Sequence, residues 1–334
     1  MKYNGVEKFR WAYGANGSVG LHTDLVNGVK WQYDYNLNGD VTSVVGNNGT
    51  SFRYNYRSDG MLAGDTVTVG GVSKTTAYTK NLQGVLAQIK YGNGSKLSYT
   101  YDGFSRVTGT VLGNSQTTSA LATSYSYLPA ATAGETTDVV SSLTNTFHKN
   151  NSNENENKVL NYTYDANGNI LTIKEGTTQK VKYYYDALDQ VTRENNAWLN
   201  KTIAYTYDNG GNIQTVKEYA LTSGALDGLT ATNTYTYLYG DSNWKDKLTS
   251  YNGHTIAYDA IGNPTTYYNG ATFTWQNGRE LAGLTTASGI GVTYTYNADG
   301  FRTQKTVGTV TTDYILAGGK AGYENNGIIT VKAH

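Results

Sequence analysis

An all-β fold of serial β-hairpins is predicted by three features of the sequence: a composition rich in tyrosine and glycine, an aromatic pair that recurs about every 21 residues, and Asn-Gly dipeptides scattered between the pairs. Of 334 residues, 31 are Tyr and 39 Gly, against 2 Pro and no Cys. Tyrosine suits a pleated, half-buried surface and glycine the tight turns that reverse it, so the balance favours strands over helices.

The aromatic pair sets the period. The stretch YTYDANGNIL at 162–171 has close relatives in YYYDALDQVT at 183, YTYDNGGNIQ at 205 and YTYNADGFRT at 294. The second aromatic of each pair falls at Tyr35, Tyr56, Tyr101, Tyr127, Tyr164, Tyr185, Tyr207, Tyr237, Tyr258, Trp275 and Tyr296. Four of the gaps are 21 residues: Tyr35 to Tyr56, Tyr164 to Tyr185, Tyr237 to Tyr258 and Trp275 to Tyr296. The longer gap from Tyr56 to Tyr101 contains a degenerate copy around YTKNLQGVLAQI.

Each position in the unit has a physical reason. Residues two apart on a strand share a face, so Tyr162 with Tyr164, Tyr183 with Tyr185, Tyr205 with Tyr207, Tyr235 with Tyr237 and Tyr294 with Tyr296 present paired rings. Rings of neighbouring repeats are expected to stack as a ladder, each aromatic pair contributing roughly 0.2 to 1 kcal/mol. Next come Asp165, Asp186, Asp208 and Asp259, short acceptors that bond backbone amides and start a turn. Gly39, Gly60, Gly168, Gly211, Gly262 and Gly300 then supply a residue with φ above zero, with Ser105 and Asp189 in the same slot of two copies. Two residues on, Val41, Leu62, Val107, Ile170, Val191, Ile213 and Leu281 begin the return strand. At roughly 3.3 Å per residue, one period makes two ordinary strands with their turns, and the array is expected to form a single coiled sheet, a spiral wall or partial cocoon, over residues 1–334. The gap from Tyr127 to Tyr164 is 37 residues and holds HKNNSNENENK, so a polar loop insertion is expected at about 129–158.

Composition excludes several functions. Lys plus Arg and Asp plus Glu are both 26, so no basic excess exists to hold a nucleic-acid backbone. Without cysteine there are no disulfides, thiol nucleophiles or thiolate metal sites. No apolar run reaches the length of a membrane helix, and MKYNGVEKFRWAYG lacks the apolar core of a signal peptide.

The unit YxYDxxGN[IV] at 162–170, with its relatives at 183, 205, 256 and 294, resembles the YD repeat of the Rhs and teneurin-like family, over about Trp31 to Tyr314. The resemblance implies a hollow β-sheet shell that, in bacterial members, encloses a C-terminal toxin. It also implies a secreted or wall-associated protein whose partners are polypeptide cargo, flanking shell segments or a cell-surface glycan. Complete bacterial shells end in an Asp-Pro-x-Gly core that cuts the cargo free. Here Pro129 follows Leu128 and Pro264 follows Asn263, so that self-cleavage is not carried over, and the chain looks like an excerpt of a shell. The cut ends of such a sheet would favour edge-to-edge self-association.

No catalytic, cofactor or metal residue is expected. His22, His148, His254 and His334 lie far apart without metal-ligand spacing. DANGN at 165–169 has its glycine too early for a calcium loop, and AGGKAG at 317–322 lacks the first glycine and the hydroxyl residue of a phosphate loop. A glycosidase built on two of the many carboxylates is a weaker alternative, because the recurrent Asp fill a turn slot. Trp198 in NNAWLNK and Trp244 in GDSNWKDK stand outside the aromatic pairs and are the candidate contacts for a glycan or protein.

Overall fold

The computed structural model describes residues 2–3, 5–113, 119–132, 135–148, 155–317, 320–325 and 329–331, and these contain strands and turns with no helix. Residues 149–154 of the polar run, Gly318 and Gly319 of AGGKAG, and His334 lie outside them. The chain divides into two compact units, one of Met1–Leu97, Asp259–Thr265 and Gly270–His334, the other of Ser98–Tyr258 and Thr266–Asn269.

In the first unit the strands Phe9–Tyr13, Val19–Asp24, Val29–Tyr35, Val41–Gly46, Ser51–Tyr56, Leu62–Val69, Val72–Lys80 and Leu86–Lys90 pair in chain order, all antiparallel. A second sheet of the same unit runs from Thr272–Gln276 through Glu280–Thr285, Gly291–Tyr296 and Arg302–Val307 to Ile329–Val331. The other unit pairs its strands in the same serial manner from Val107–Gly113 to Asn233–Leu238. Serial hairpins are therefore the architecture of both units.

Alternation shows directly in burial. Along Val29–Tyr35 residues 29, 31, 33 and 35 are half-buried and the residues between them exposed. The opposite face carries hydroxyl pairs across strands, Thr163 with Thr172 at 2.6 Å, Thr206 with Thr215 at 2.7 Å and Thr66 with Thr75 at 2.8 Å. Few apolar side chains are fully buried; the one described cluster is Val44, Phe52, Val67 and Val69, with Trp31, Tyr33, Val41 and Tyr54 packed on it. Hydrogen bonding between strands thus carries more of the fold than a thick core does.

Two segments differ from the sequence reading. The expected polar loop at 129–158 is largely strand: Thr136–His148 pairs with Ser119–Pro129 on one side and with Asn155–Tyr164 on the other, out to His148 against Asn155. Backbone donors and acceptors do not depend on side-chain polarity, so an Asn- and Glu-rich segment still completes the ladder that Asn145–His148 offers. Around Tyr258 the opposite occurs. The strand shrinks to isolated bridges at Tyr258, Pro264 and Thr266. Pro264 stands where other repeats begin their return strand, and it has no amide hydrogen to give.

The glycine slot lies in the left-handed region, with φ of 90° at Gly168 and 62° at Ser105. A serine held there is strained where glycine is not. Ser105→Gly is expected to raise stability by about 0.5–1 kcal/mol, read as a higher urea midpoint at unchanged slope.

Candidate functional surface

The marker aromatics join one repeat to the next through their polar ends. The hydroxyl of Tyr35 donates to the carbonyl of Val19 (2.9 Å), Tyr56 to Val41 (2.8 Å), Tyr127 to Val107 (2.6 Å), Tyr185 to Ile170 (2.8 Å), Tyr207 to Val191 (2.7 Å) and Tyr296 to Leu281 (3.0 Å). In five of the six the acceptor is the first residue of the preceding return strand, and Leu281 is the second residue of Glu280–Thr285. Trp275 keeps the pattern with its indole N–H, which donates to the Pro264 carbonyl at 2.7 Å. Tyr164 and Tyr258 reach other carbonyls, those of Val140 and Leu248, both at 2.6 Å; the gap before Tyr164 is 37 residues, whereas that before Tyr258 is the regular 21.

A register shift sits at the marker in each of these hairpins, between Thr163 and Tyr164, Tyr184 and Tyr185, Thr206 and Tyr207, and Asp34 and Tyr35. A bulge re-aims the side chain at its site. The turn that follows is closed by its acid. Asp165 Oδ1 accepts the amides of Asn167 and Asn169, both at 2.9 Å, and its Oδ2 accepts Asn169 Nδ2 at 3.0 Å. Asp208 is held by Gly210 and Asn212, and Asp259 by Ile261 and Asn263, in the same way. Asp186 accepts the amides of Leu188 and Gln190. Gly168, Gly211, Gly262 and Gly300 each donate their amide back to the turn's first carbonyl. The Asn169 side chain holds the Asp165 carboxyl below the usual range, and Asn212 does the same for Asp208.

Some rings contact one another within a strand, Tyr99 with Tyr101 at 6.5 Å and Tyr183 with Tyr185 at 6.4 Å. Tyr251 gathers Tyr235 at 6.3 Å and Tyr237 at 5.0 Å across strands. Tyr294 lies under the Arg302 guanidinium at 5.1 Å. Burial is the first cause that raises the phenol pKa of Tyr56, Tyr162, Tyr164, Tyr183, Tyr185, Tyr207 and Tyr258. It also pushes Tyr205, whose hydroxyl donates to Glu194 at 3.3 Å, up to about 12. Two roles were hidden from sequence reasoning: the hydroxyl as the link between repeats, and the asparagine after the turn glycine as its clasp. The recurrent Gly-Asn in the motif was the available signal for the second.

Both candidate tryptophans already have local partners. Trp198 donates its indole N–H to Glu175 at 3.2 Å, with the Lys158 ammonium 5.3 Å from its ring. Trp244 stands 5.8 Å from the Lys247 ammonium, which pairs with Asp241. No group of three or more His, Asp or Glu side chains is placed to hold a metal ion among the described residues. A cavity of about 720 Å³ opens in the first unit, between residues 22–56 and 295–314.

Serial hairpins of this kind occur in known structures. The chain is similar to a crystal structure of TcdB2-TccC3-Cdc42 at 16% identity and a TM-score of 0.52, and to TcdB2-TccC3-TEV at 16% and 0.51. It is also similar to the Photorhabdus luminescens Tc holotoxin pore, at 16% identity and a TM-score of 0.50. Each likeness covers 95% of this chain and 20% of the other, so the chain spans about a fifth of the length of the structures it matches. At this identity the likeness is one of fold. No family model and no curated protein sequence matches the chain.

Two outcomes are expected. Tyr185→Phe and Tyr207→Phe keep the rings and remove the hydroxyls, and each should lower stability by about 0.5–1.5 kcal/mol in chemical denaturation. Stability should also fall at alkaline pH. The raised phenols bind their protons more tightly in the folded chain, so stability is complete below the ordinary phenol value near about 10 and is lost as pH rises towards the folded values. Those values are about 12 for Tyr78 and Tyr205, and tyrosinate absorbance followed alongside circular dichroism reads the loss.

Proposed function

We propose that the chain is a non-enzymatic structural scaffold, one stretch of a YD-repeat shell wall that encloses or displays polypeptide cargo such as a secreted toxin. The observation that carries this reading is the hydroxyl link between repeats, which is repeated along the chain and spends the recurrent aromatic on joining hairpins. The recurrent acids support it in the same sense. Each is committed to turn amides, and Asp165, Asp208 and Asp259 titrate below the usual carboxyl range, where a general acid would need to stand above it. Asp65 is the exception, raised by burial in a strand, with the Tyr78 hydroxyl donating to it at 3.0 Å. The likeness in fold to Tc toxin structures is the further support, and secretion from a bacterium follows from the same resemblance.

Small-angle scattering on the monodisperse protein tests the reading. A solid globule of this length has a radius of gyration near about 20 Å. A wall gives a larger value with a distance distribution depleted at short separations. A compact solid particle, or hydrolysis of any member of a chromogenic glycoside panel, would overturn the scaffold reading.

A further inference from the structure

The cavity in the first unit is lined by one sign of charge. Its walls include the carboxylates of Asp24, Asp299 and Asp313 and contain no Lys or Arg. The acids differ in what already holds them. Asp24 is 5% exposed and accepts the amides of Val26 (2.8 Å) and Asn27 (3.1 Å) and the Asn27 side chain (3.0 Å). Asp313 accepts the Gln304 amide at 2.8 Å. Asp299 is exposed, and its carboxylate has no hydrogen-bond or ion-pair partner among the described residues. It lies close enough to Tyr33 for its charge to raise that phenol's pKa, after burial and the neighbouring Tyr35.

Part of the aromatic wall is free of the chain's own cations. Elsewhere the chain covers tyrosine faces with its own cations, Arg106 at 4.3 Å over Tyr127 and Arg302 at 5.2 Å over Tyr314, which also borders this cavity. Trp31, Tyr33 and Tyr54 line the cavity without a Lys or Arg over their rings among the described residues. The buried Nε2 of His22, on the same lining, has no hydrogen-bond partner there either. An electron-rich ring and an unpaired carboxylate both favour a cation that also donates hydrogen bonds. A neutral sugar would gain nothing from the net charge.

We propose that this cavity binds the guanidinium or ammonium group of a basic polypeptide side chain. The proposal does not depend on the shell reading, since it concerns a site within one unit. Titration of the full chain with N-acetyl-arginine amide and its neutral isostere N-acetyl-citrulline amide, followed by NMR and calorimetry, tests it. The arginine compound is expected to bind at millimolar concentration and shift the Trp31 indole, with citrulline about tenfold weaker or more. Asp299→Asn should weaken arginine binding about fivefold at an unchanged circular dichroism spectrum, and Tyr33→Phe should retain it. Equal binding of citrulline, no response to the arginine compound, an unaffected Asp299→Asn variant, or displacement by a neutral oligosaccharide would each overturn the proposal.

Discussion

A sheet that buries little on either face cannot be held by its core, and this chain meets that constraint with a hydrogen bond from nine of its marker aromatics to a carbonyl earlier in the chain. Strand pairing alone ties only hairpins that are adjacent in the ladder. The tyrosine hydroxyl adds a side-chain tie across the same neighbours, at about 1 kcal/mol each, in most of the repeats. Trp275 keeps the bond without a phenol. Where the phenol is absent, an indole N–H makes the same contact with the Pro264 carbonyl.

Turn and tie are built together. The bulge at the marker swings its ring towards the previous repeat, the acid after it gathers the amides of the turn, and the left-handed residue lets the chain reverse in four residues. An error in one part therefore misplaces the others. In repeat arrays stability is a sum of nearest-neighbour terms, so such an error is felt first by the adjoining units.

Much of this was legible in the sequence because it is periodic. The strand, turn and return strand around Tyr164, Tyr185 and Tyr207 follow from residue types at fixed spacing. The acceptor of each tyrosine was not legible, since a backbone carbonyl has no letter of its own. The segment at 129–158 misled for a related reason: its side chains read as loop while its backbone completes a ladder. At Pro264 a single missing amide hydrogen reduced a repeat to bridges. The cavity lay beyond reach because Tyr33 and Asp299 are far apart in the chain and only the fold sets them side by side.

Native-state hydrogen exchange on the Tyr185→Phe chain tests the central claim most directly. If the hydroxyl ties repeats, amide protection falls in both the Tyr183 hairpin and the hairpin before it, from about residue 159 to 196, while the strands Val41–Gly46 and Ser51–Tyr56 keep theirs. Loss confined to the mutated strand, or no loss, would mean that the repeats are joined by backbone pairing alone.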